Sequence, residues 1–284
     1  MFGKLVTVKP TDGKIKYTVK NVLRRIYEHN ISQIGGQLSF FLILSTFPFL
    51  IFLNALIGYV NITPQVLQNF LAPLFPQQIV KLIGSYVEYI SNNQSVSLLS
   101  IGIIVTIFSA SKAVRAITRA LNTAYGVEDR RSFVWEIVFS MLLILAVGVV
   151  CVLLIMVLAF STNFVERLAQ ELNISFTLIN IVDAWRWVTF AAVMFFVLSM
   201  MYKFMPTKKI RFREIIPGTL FSMAGFMALT VGFSVYVKYF MSNSALYGTI
   251  GSIILLMFWL YIVSMIIVVG AELNSVLSSM PKDR

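Results

Sequence analysis

The chain has 284 residues, of which 58% are hydrophobic and only 12% are charged. A water-soluble domain of this length needs more polar residues to cover its surface, so the composition excludes that class and predicts an all-α membrane protein. The net charge of +11 fits basic loops beside a membrane better than a nucleic-acid surface, and the single cysteine excludes a disulfide framework.

Residues 1–33 form a basic segment that we expect in the cytoplasm. Helical spacing within 17–30 places four apolar side chains on one face, Val19, Val22, Leu23 and Ile26. This pattern predicts an amphipathic helix in the headgroup region of the membrane.

Six apolar runs follow, each near the length that crosses about 30 Å of hydrocarbon. We expect the second run to leave the membrane near Ser111 and to continue as a cytoplasmic helix. The loops 61–96 and 161–184 fall on the outer side, where short helices are expected in the first loop, and 276–284 forms a cytoplasmic tail. The predicted spans are approximately 34–60, 97–122, 133–160, 185–205, 215–240 and 247–275.

Basic residues alternate with these spans. Nineteen of the 23 Lys and Arg residues fall in the N-terminal segment, in 112–131, in 203–213 and at the C-terminus. Because cytoplasmic loops collect Lys and Arg, this bias predicts six spans with both termini in the cytoplasm. Three spans in each half would give the halves opposite orientations, as in inverted-repeat transporters, but the sequence contains no convincing internal repeat.

The first predicted span carries polar side chains, among them Gln37 and Asn54, together with Pro48. A proline inside a membrane helix frees a carbonyl one turn earlier, and an amide in hydrocarbon is costly. Asn54 is therefore expected to face protein or water. Two interpretations stay open, a kinked and tightly packed helix or the polar lining of a transport path.

The segment 109–126 combines cations with small residues. Lys112, Arg115 and Arg119 are three and four residues apart, so they form one stripe on a helix. The neighbouring alanines allow close approach of another helix. A basic stripe at the inner membrane surface suits phosphate or carboxylate groups, but it also suits long side chains that only reach to the headgroups.

Glu272 is an acid in an apolar context, and Asn274 follows two residues later. A buried charge needs a partner, so the sequence predicts a pair between Glu272 and Arg115 or Lys112. Such a pair is either structural or part of a site in which Arg115 contacts an anionic ligand.

Small residues mark two predicted helix contacts. Gly248, Gly251 and Ser252 share one face of the last span, which favours close packing or exposes backbone to a ligand. Pro217 and Gly218 begin the fifth span, where proline is expected in the first helical turn.

The sequence supplies little catalytic chemistry. His29 is the only histidine, and a zinc site or a metal nuclease needs several converging His and carboxylate ligands. No phosphate-binding glycine loop is present. We therefore expect no enzyme activity, no metal and no cofactor.

Four segments resemble the YihY/virulence factor BrkB family of bacterial inner-membrane proteins. They are 37–50, 111–122, 217–218 and 247–274, and the resemblance covers about 30–280. It implies a multi-pass protein of the bacterial cytoplasmic membrane. Members of the family were once labelled ribonuclease BN, and transport of anionic molecules, ion exchange and serum resistance have been proposed for them.

Two functions fit these features. The first is a transporter or flippase-like protein for an anionic solute or a lipid headgroup. The alternative is a non-transporting membrane scaffold or envelope-assembly factor. The expected partners are membrane lipid and an anionic lipid or solute rather than nucleic acid, and a homo-oligomer stays open.

Overall fold

The computed structural model describes the chain mainly as long helices. The residues described are 14–60, 77, 79–81, 83–85, 96–128, 132, 134–135, 137–142, 177–240 and 248–280. Within them no strand occurs, which confirms the all-α class for this part of the chain. The long helices are α1 (Lys14–Glu28), α2 (Ile31–Val60), α3 (Val96–Ala124), α4 (Thr177–Phe204), α5 (Phe212–Phe240) and α6 (Gly248–Ser278).

Helices α2 to α6 overlap five of the six predicted spans. Helix α3 continues unbroken through the basic stripe, as expected. Of the predicted span 133–160, residues 134–135 and 137–142 are described and helical, and the rest lies outside the described residues. In the first outer loop, 79–81 and 83–85 are helical, with Ile79 and Ile83 buried.

Helix α6 lies at the centre of the described packing. It contacts α1, α2, α3 and α5, while α2 also packs on α3 and α4 packs on α5. One apolar cluster joins α3, α4, α5 and α6 around Leu121 and Tyr202. A second joins α2, α3 and α6, and it includes Val268 with the small residues Ala116 and Ala120. These alanines are buried, as the close approach predicted for their segment requires.

Two residues with positive φ lie at helix ends. Asn30, with φ of 50°, separates α1 from α2, and Gly126, with φ of 62°, follows α3. At the end of α3 the N–H of Val127 donates to the carbonyl of Asn122 at 2.9 Å, and the N–H of Gly126 donates to Thr123 at 3.0 Å. This is a Schellman motif, in which glycine adopts the left-handed conformation without steric cost.

Pro217 lies deeper in its helix than the sequence predicts. Because α5 begins at Phe212, the proline falls in the second turn, so the expected first-turn position is wrong. A proline there disturbs the backbone bonds of its helix. The next N–H, of Gly218, donates to Oδ1 of Asn274 on α6 at 2.6 Å. A side chain of the neighbouring helix thus satisfies backbone near the proline.

Glycines bring α5 and α6 into backbone contact. A Cβ atom on Gly218 would collide with the carbonyl of Gly270, and a Cβ on Gly270 would collide with Ser222 and Tyr202. The hydroxyl of Tyr202 lies 2.7 Å from that of Ser222 and donates to the carbonyl of Ile267 at 2.8 Å. Helices α4, α5 and α6 therefore meet at one hydrogen-bonded point.

Two described helices are long and apolar enough to cross a membrane. They are Phe212–Tyr236, with a mean hydropathy of 1.6, and Ile253–Ser278, with 2.8. Both also expose large apolar side chains, such as Val231 at 66% and Ile254 at 61%. Extended exposed apolar surface is uncommon on soluble monomers, so the surface agrees with the hydropathy.

Candidate functional site

The carboxylate of Glu272 is fully buried near the end of α6 and is held by two cationic or potentially cationic groups. Nη1 of Arg25 lies 3.3 Å from Oε2, and Nδ1 of His29 lies 2.5 Å from Oε1. The guanidinium of Arg25 donates to the carboxylate, and the ring nitrogen of His29 lies within hydrogen-bond distance of its other oxygen. The single histidine of the chain therefore belongs to a buried polar cluster.

Arg25 connects three helices through the same guanidinium nitrogen. Besides Glu272, its Nη1 donates to the hydroxyl of Ser275 at 2.8 Å and to the carbonyl of Ala124 at 3.2 Å. Ala124 is the last residue of α3, and the carbonyls at a helix C-terminus carry partial negative charge. Arg25 thus holds α1 against both α3 and α6.

These contacts correct the pairing that the sequence predicts for Glu272. Arg115 and Lys112 of α3 are the expected partners, whereas the structure places Arg25 of α1 and His29 of the following turn on the carboxylate. The sequence predicts that α1 lies in the headgroup region, and this prediction does not show that the polar face of the helix packs on the bundle. The useful signal was the four-residue spacing of Arg25 and His29, which puts both on one helix face.

The basic stripe lies on the surface of α3. Lys112 and Arg115 are half-buried and Arg119 is exposed. Nε of Arg115 donates to the carbonyl of Ser111 at 3.3 Å, and Nζ of Lys112 lies 4.5 Å from the centre of the Phe108 ring. The stripe is therefore within reach of molecules beside the bundle.

Asn274 and Tyr125 add buried polar atoms near Glu272. Tyr125 is 6% exposed, and Asn274 is fully buried. Tyr125 Oη and Asn274 Nδ2 make no hydrogen bond of standard geometry among the described residues, but the two side chains lie close enough to interact with each other. Burial raises the pKa of Tyr125, so its hydroxyl remains protonated.

The other predicted site residues are only partly described. Gln37 is exposed on α2, and Gly251 is buried in α6. The side chains of Asn54 and Ser252 lie outside the described residues, as do the surroundings of Gly248, so the predicted orientation of Asn54 stays a prediction.

Metal ligands do not converge in the part of the chain that the structure describes. No three His, Cys, Asp or Glu side chains come close enough there to hold an ion. The buried Glu272 and His29 are accompanied by Arg25, whose positive charge opposes cation binding.

Apolar helices with large exposed side chains, packed around a buried ion pair, define the chain as a helical membrane protein. The profile described as "Virulence factor BrkB" matches residues 22–284. The chain therefore belongs to the virulence factor BrkB family, and the resemblance drawn from its motifs is confirmed.

Two of three similar proteins carry names that describe membrane proteins, and the third has a ribonuclease-like name. The ribonuclease-like protein YfkH of Bacillus subtilis is 34% identical over 265 residues, which are 93% of this chain and 96% of that protein. A UPF0761 membrane protein of Vibrio atlanticus is 26% identical and matches 96% of this chain and 86% of its own length. One of Nitrosospira multiformis is 26% identical, and the match covers 91% of this chain but only 60% of that longer protein. No solved structure matches the chain.

Proposed function

We propose that this protein is a transporter or flippase-like protein for an anionic solute or a lipid headgroup. The basic stripe of Lys112, Arg115 and Arg119, accessible on the surface of α3, is the observation that carries the proposal. Arg25 of α1 and His29 of the following turn hold the buried Glu272, so the stripe is not needed for that role.

The spacing of the stripe suits phosphate or carboxylate groups. Neighbouring positions on one helix face lie about 5–6 Å apart, a distance that two or three side chains can share around one anion. A hydrogen bond between charged groups contributes roughly 1.5–3 kcal/mol, and arginine can contact an anion through two nitrogens. Arg115 and Arg119 are therefore the strongest candidates for direct contact.

The proposed setting is the bacterial cytoplasmic membrane, with six spans and both termini in the cytoplasm. The distribution of Lys and Arg and the overlap of α2 to α6 with predicted spans support it. On this topology the stripe faces the cytoplasm. Membrane lipid is the surrounding partner, and a homo-oligomer stays open.

A lipid-movement assay tests the proposal. The full chain is reconstituted in vesicles that contain a fluorescent phosphatidylglycerol or, separately, a fluorescent phosphatidylcholine, and headgroup movement is followed by bleaching with an impermeant reductant. Parallel vesicles loaded with sulfate test a soluble anion. We expect the triple change Lys112→Gln, Arg115→Gln, Arg119→Gln to slow anion movement at least about tenfold, since each lost contact corresponds to that factor or more.

The matched control removes three exposed cations from another basic segment, by Lys208→Gln, Lys209→Gln and Arg211→Gln. It changes the net charge equally and should leave the rate within about twofold, since long-range surface charge is screened by salt. Equal loss in both triple variants, or no loss in the first, contradicts a specific role for the stripe.

A non-transporting scaffold is the second candidate, and the tight α4–α5–α6 junction favours it. Gly218 and Gly270 leave no room between α5 and α6, and Tyr202 fixes α4 to both. Such a junction limits relative helix motion, which transport needs. A wild-type protein that moves neither lipid nor sulfate in vesicles would support this alternative.

We further propose that the protein is not an enzyme. The sequence contains one histidine, too few for a conventional metal nuclease site. The ribonuclease-like name belongs to the Bacillus relative. A purified protein that cleaves RNA, with activity abolished by a single substitution, would contradict this.

A further inference from the structure

Helix α1 presents a face to the bundle and a different face to the outside. Asn21 is buried and Arg25 reaches α6, so the side that carries them is the packed side. The outward side carries large apolar groups at every fourth position. Their exposed fractions are 83% for Ile15, 52% for Val19, 56% for Leu23 and 59% for Tyr27.

These four residues form one continuous stripe, which we call the outer stripe. On an α-helix a step of four residues advances the position by about 40°, so the outer stripe spans roughly 120° of the helix surface. The apolar face predicted from the sequence is thereby divided. Val19 and Leu23 belong to the outer stripe, while Ile26 packs against the cluster beneath α1 and Val22 is half-buried.

A row of cations borders the outer stripe. Lys16, Lys20 and Arg24 repeat the same four-residue spacing one position later along the chain. They therefore lie about 100° further round the helix, along one edge of the apolar surface. An apolar stripe with a basic edge is the pattern of helices that lie in the plane of an acidic membrane surface.

The position of α1 in the fold also points to a lipid surface. A two-residue turn at 29–30 joins it to α2, the helix that overlaps the first predicted span. Helix α1 therefore lies at the end of an apolar helix, where a bilayer meets water. A second copy of the chain would bring two basic rows together and is disfavoured by repulsion.

We propose that α1 is an interfacial anchor whose outer stripe enters the acyl region while Lys16 and Lys20 contact acidic lipid headgroups; Arg24, at the end of the basic row, is paired with Glu28 of the same helix. Its opposite face is fixed to Glu272 through Arg25 and His29, so the helix is held from two sides. This proposal requires only that the chain is a membrane protein. It does not depend on transport, and its test has no transport step.

Collision accessibility of a spin label tests the anchor. The full chain with Cys151→Ser carries one new cysteine, either at Leu23 in the outer stripe or at the exposed Glu28 as the matched control. Vesicles contain phosphatidylcholine with or without phosphatidylglycerol. With phosphatidylglycerol, oxygen should relax the label at position 23 severalfold more than a water-soluble nickel chelate does, and the order should reverse at position 28.

The acidic lipid and the basic row should act together. Omitting phosphatidylglycerol, or introducing Lys16→Gln and Lys20→Gln, should reduce the oxygen preference at position 23. Each cation removed should lower the ratio of membrane-inserted to water-exposed α1 by roughly fivefold. This factor corresponds to the usual attraction of one Lys or Arg to an acidic membrane surface.

Three results would overturn the proposal. Preferential access of the nickel chelate at position 23 would place the outer stripe in water. Exclusion of both reagents there would mean that protein, such as a second copy of the chain, covers the stripe. A preference for oxygen that ignores both phosphatidylglycerol and the lysine changes would show apolar insertion without recognition of acidic lipid.

Discussion

Glu272 gives the α1–α6 contact its specificity. A fully buried carboxylate without partners would strongly destabilise the fold, and the two partners of Glu272 come from α1 and from the turn that follows it. The ion pair therefore selects which face of α1 docks on the bundle. Its net effect on stability relative to an apolar contact is a separate quantity, because desolvation offsets much of the attraction.

Removal of one partner should be far more harmful than removal of both. We expect Arg25→Met to lower the free energy of unfolding by an amount near the lower end of about 3–5 kcal/mol, because Glu272 stays buried while Arg25 is itself partly solvated. The double variant Arg25→Met, Glu272→Met should recover most of that loss. Thermal unfolding in detergent measures both.

Arg24→Met is the matched control for this comparison. Arg24 precedes Arg25 on α1, but its partners lie on the same helix: Nε is 3.7 Å from Oε2 of the exposed Glu28, and Nη2 donates to Oδ1 of Asn21 at 3.1 Å. Surface pairs contribute about 0–1 kcal/mol, so its loss should be small. Equal effects of Arg24→Met and Arg25→Met would argue against a special role for the buried pair.

At single residues, the sequence predicts that Glu272 needs a partner but does not predict which residue that partner is. An acid in an apolar run must be compensated, so the burial and pairing of Glu272 could be anticipated. The identity of the partner could not, since it depends on where α1 docks, and amphipathic spacing alone does not choose between lipid and protein. Asn274 shows the same limit, because its role as acceptor for Gly218 requires the register between α5 and α6.

At the scale of elements, the contact between α5 and α6 depends on two glycines, Gly218 and Gly270, whose lack of a side chain lets the backbones approach. Gly270 faces Ser222, Tyr202 and the carbonyl of Gly218 at distances that exclude a Cβ atom. The sequence marked this region through the segments 217–218 and 247–274 but gave no reason for the glycines. The reason is backbone proximity, which pattern analysis along one chain does not reveal.

Gly270→Ala should separate α5 from α6. The new methyl group overpacks a rigid junction, for which a cost of about 1–3 kcal/mol is usual, together with weakened hydrogen bonds of Tyr202. Thermal unfolding in detergent should therefore show a lower midpoint. A matched control, for which the opposite result is expected, lies on α5.

Gly232→Ala is the matched control for Gly270→Ala, because a Cβ on Gly232 of α5 meets nothing within 4 Å. Alanine favours a helix over glycine by roughly 0.5–1 kcal/mol, so this variant should be neutral or more stable. If Gly270→Ala were as stable as Gly232→Ala, α5 and α6 would not pack as closely at Gly270 as the structure shows.

At the scale of the whole molecule, the helices follow from hydropathy but their arrangement does not. Five predicted spans coincide with α2 to α6 because each apolar run is long and bounded by polar segments. The central position of α6 follows from its contacts with four other helices, which no property of its own sequence announces. The side of the membrane on which each loop lies comes from charge alone.

Topology is therefore the prediction on which the cytoplasmic location of the basic stripe depends. In a Cys151→Ser background, a cysteine at Asn92 lies in the loop predicted outside, and a cysteine at the exposed Glu128 follows the stripe on the predicted cytoplasmic side. An impermeant thiol reagent should label position 92 in intact cells and position 128 only after permeabilisation, because nineteen of the 23 basic residues favour that orientation. Both positions should react fully in detergent, which controls for intrinsic reactivity. Labelling of position 128 from outside intact cells would show that the orientation is the reverse of the predicted one. The basic stripe would then lie on the outer side of the membrane, away from the proposed cytoplasmic anion.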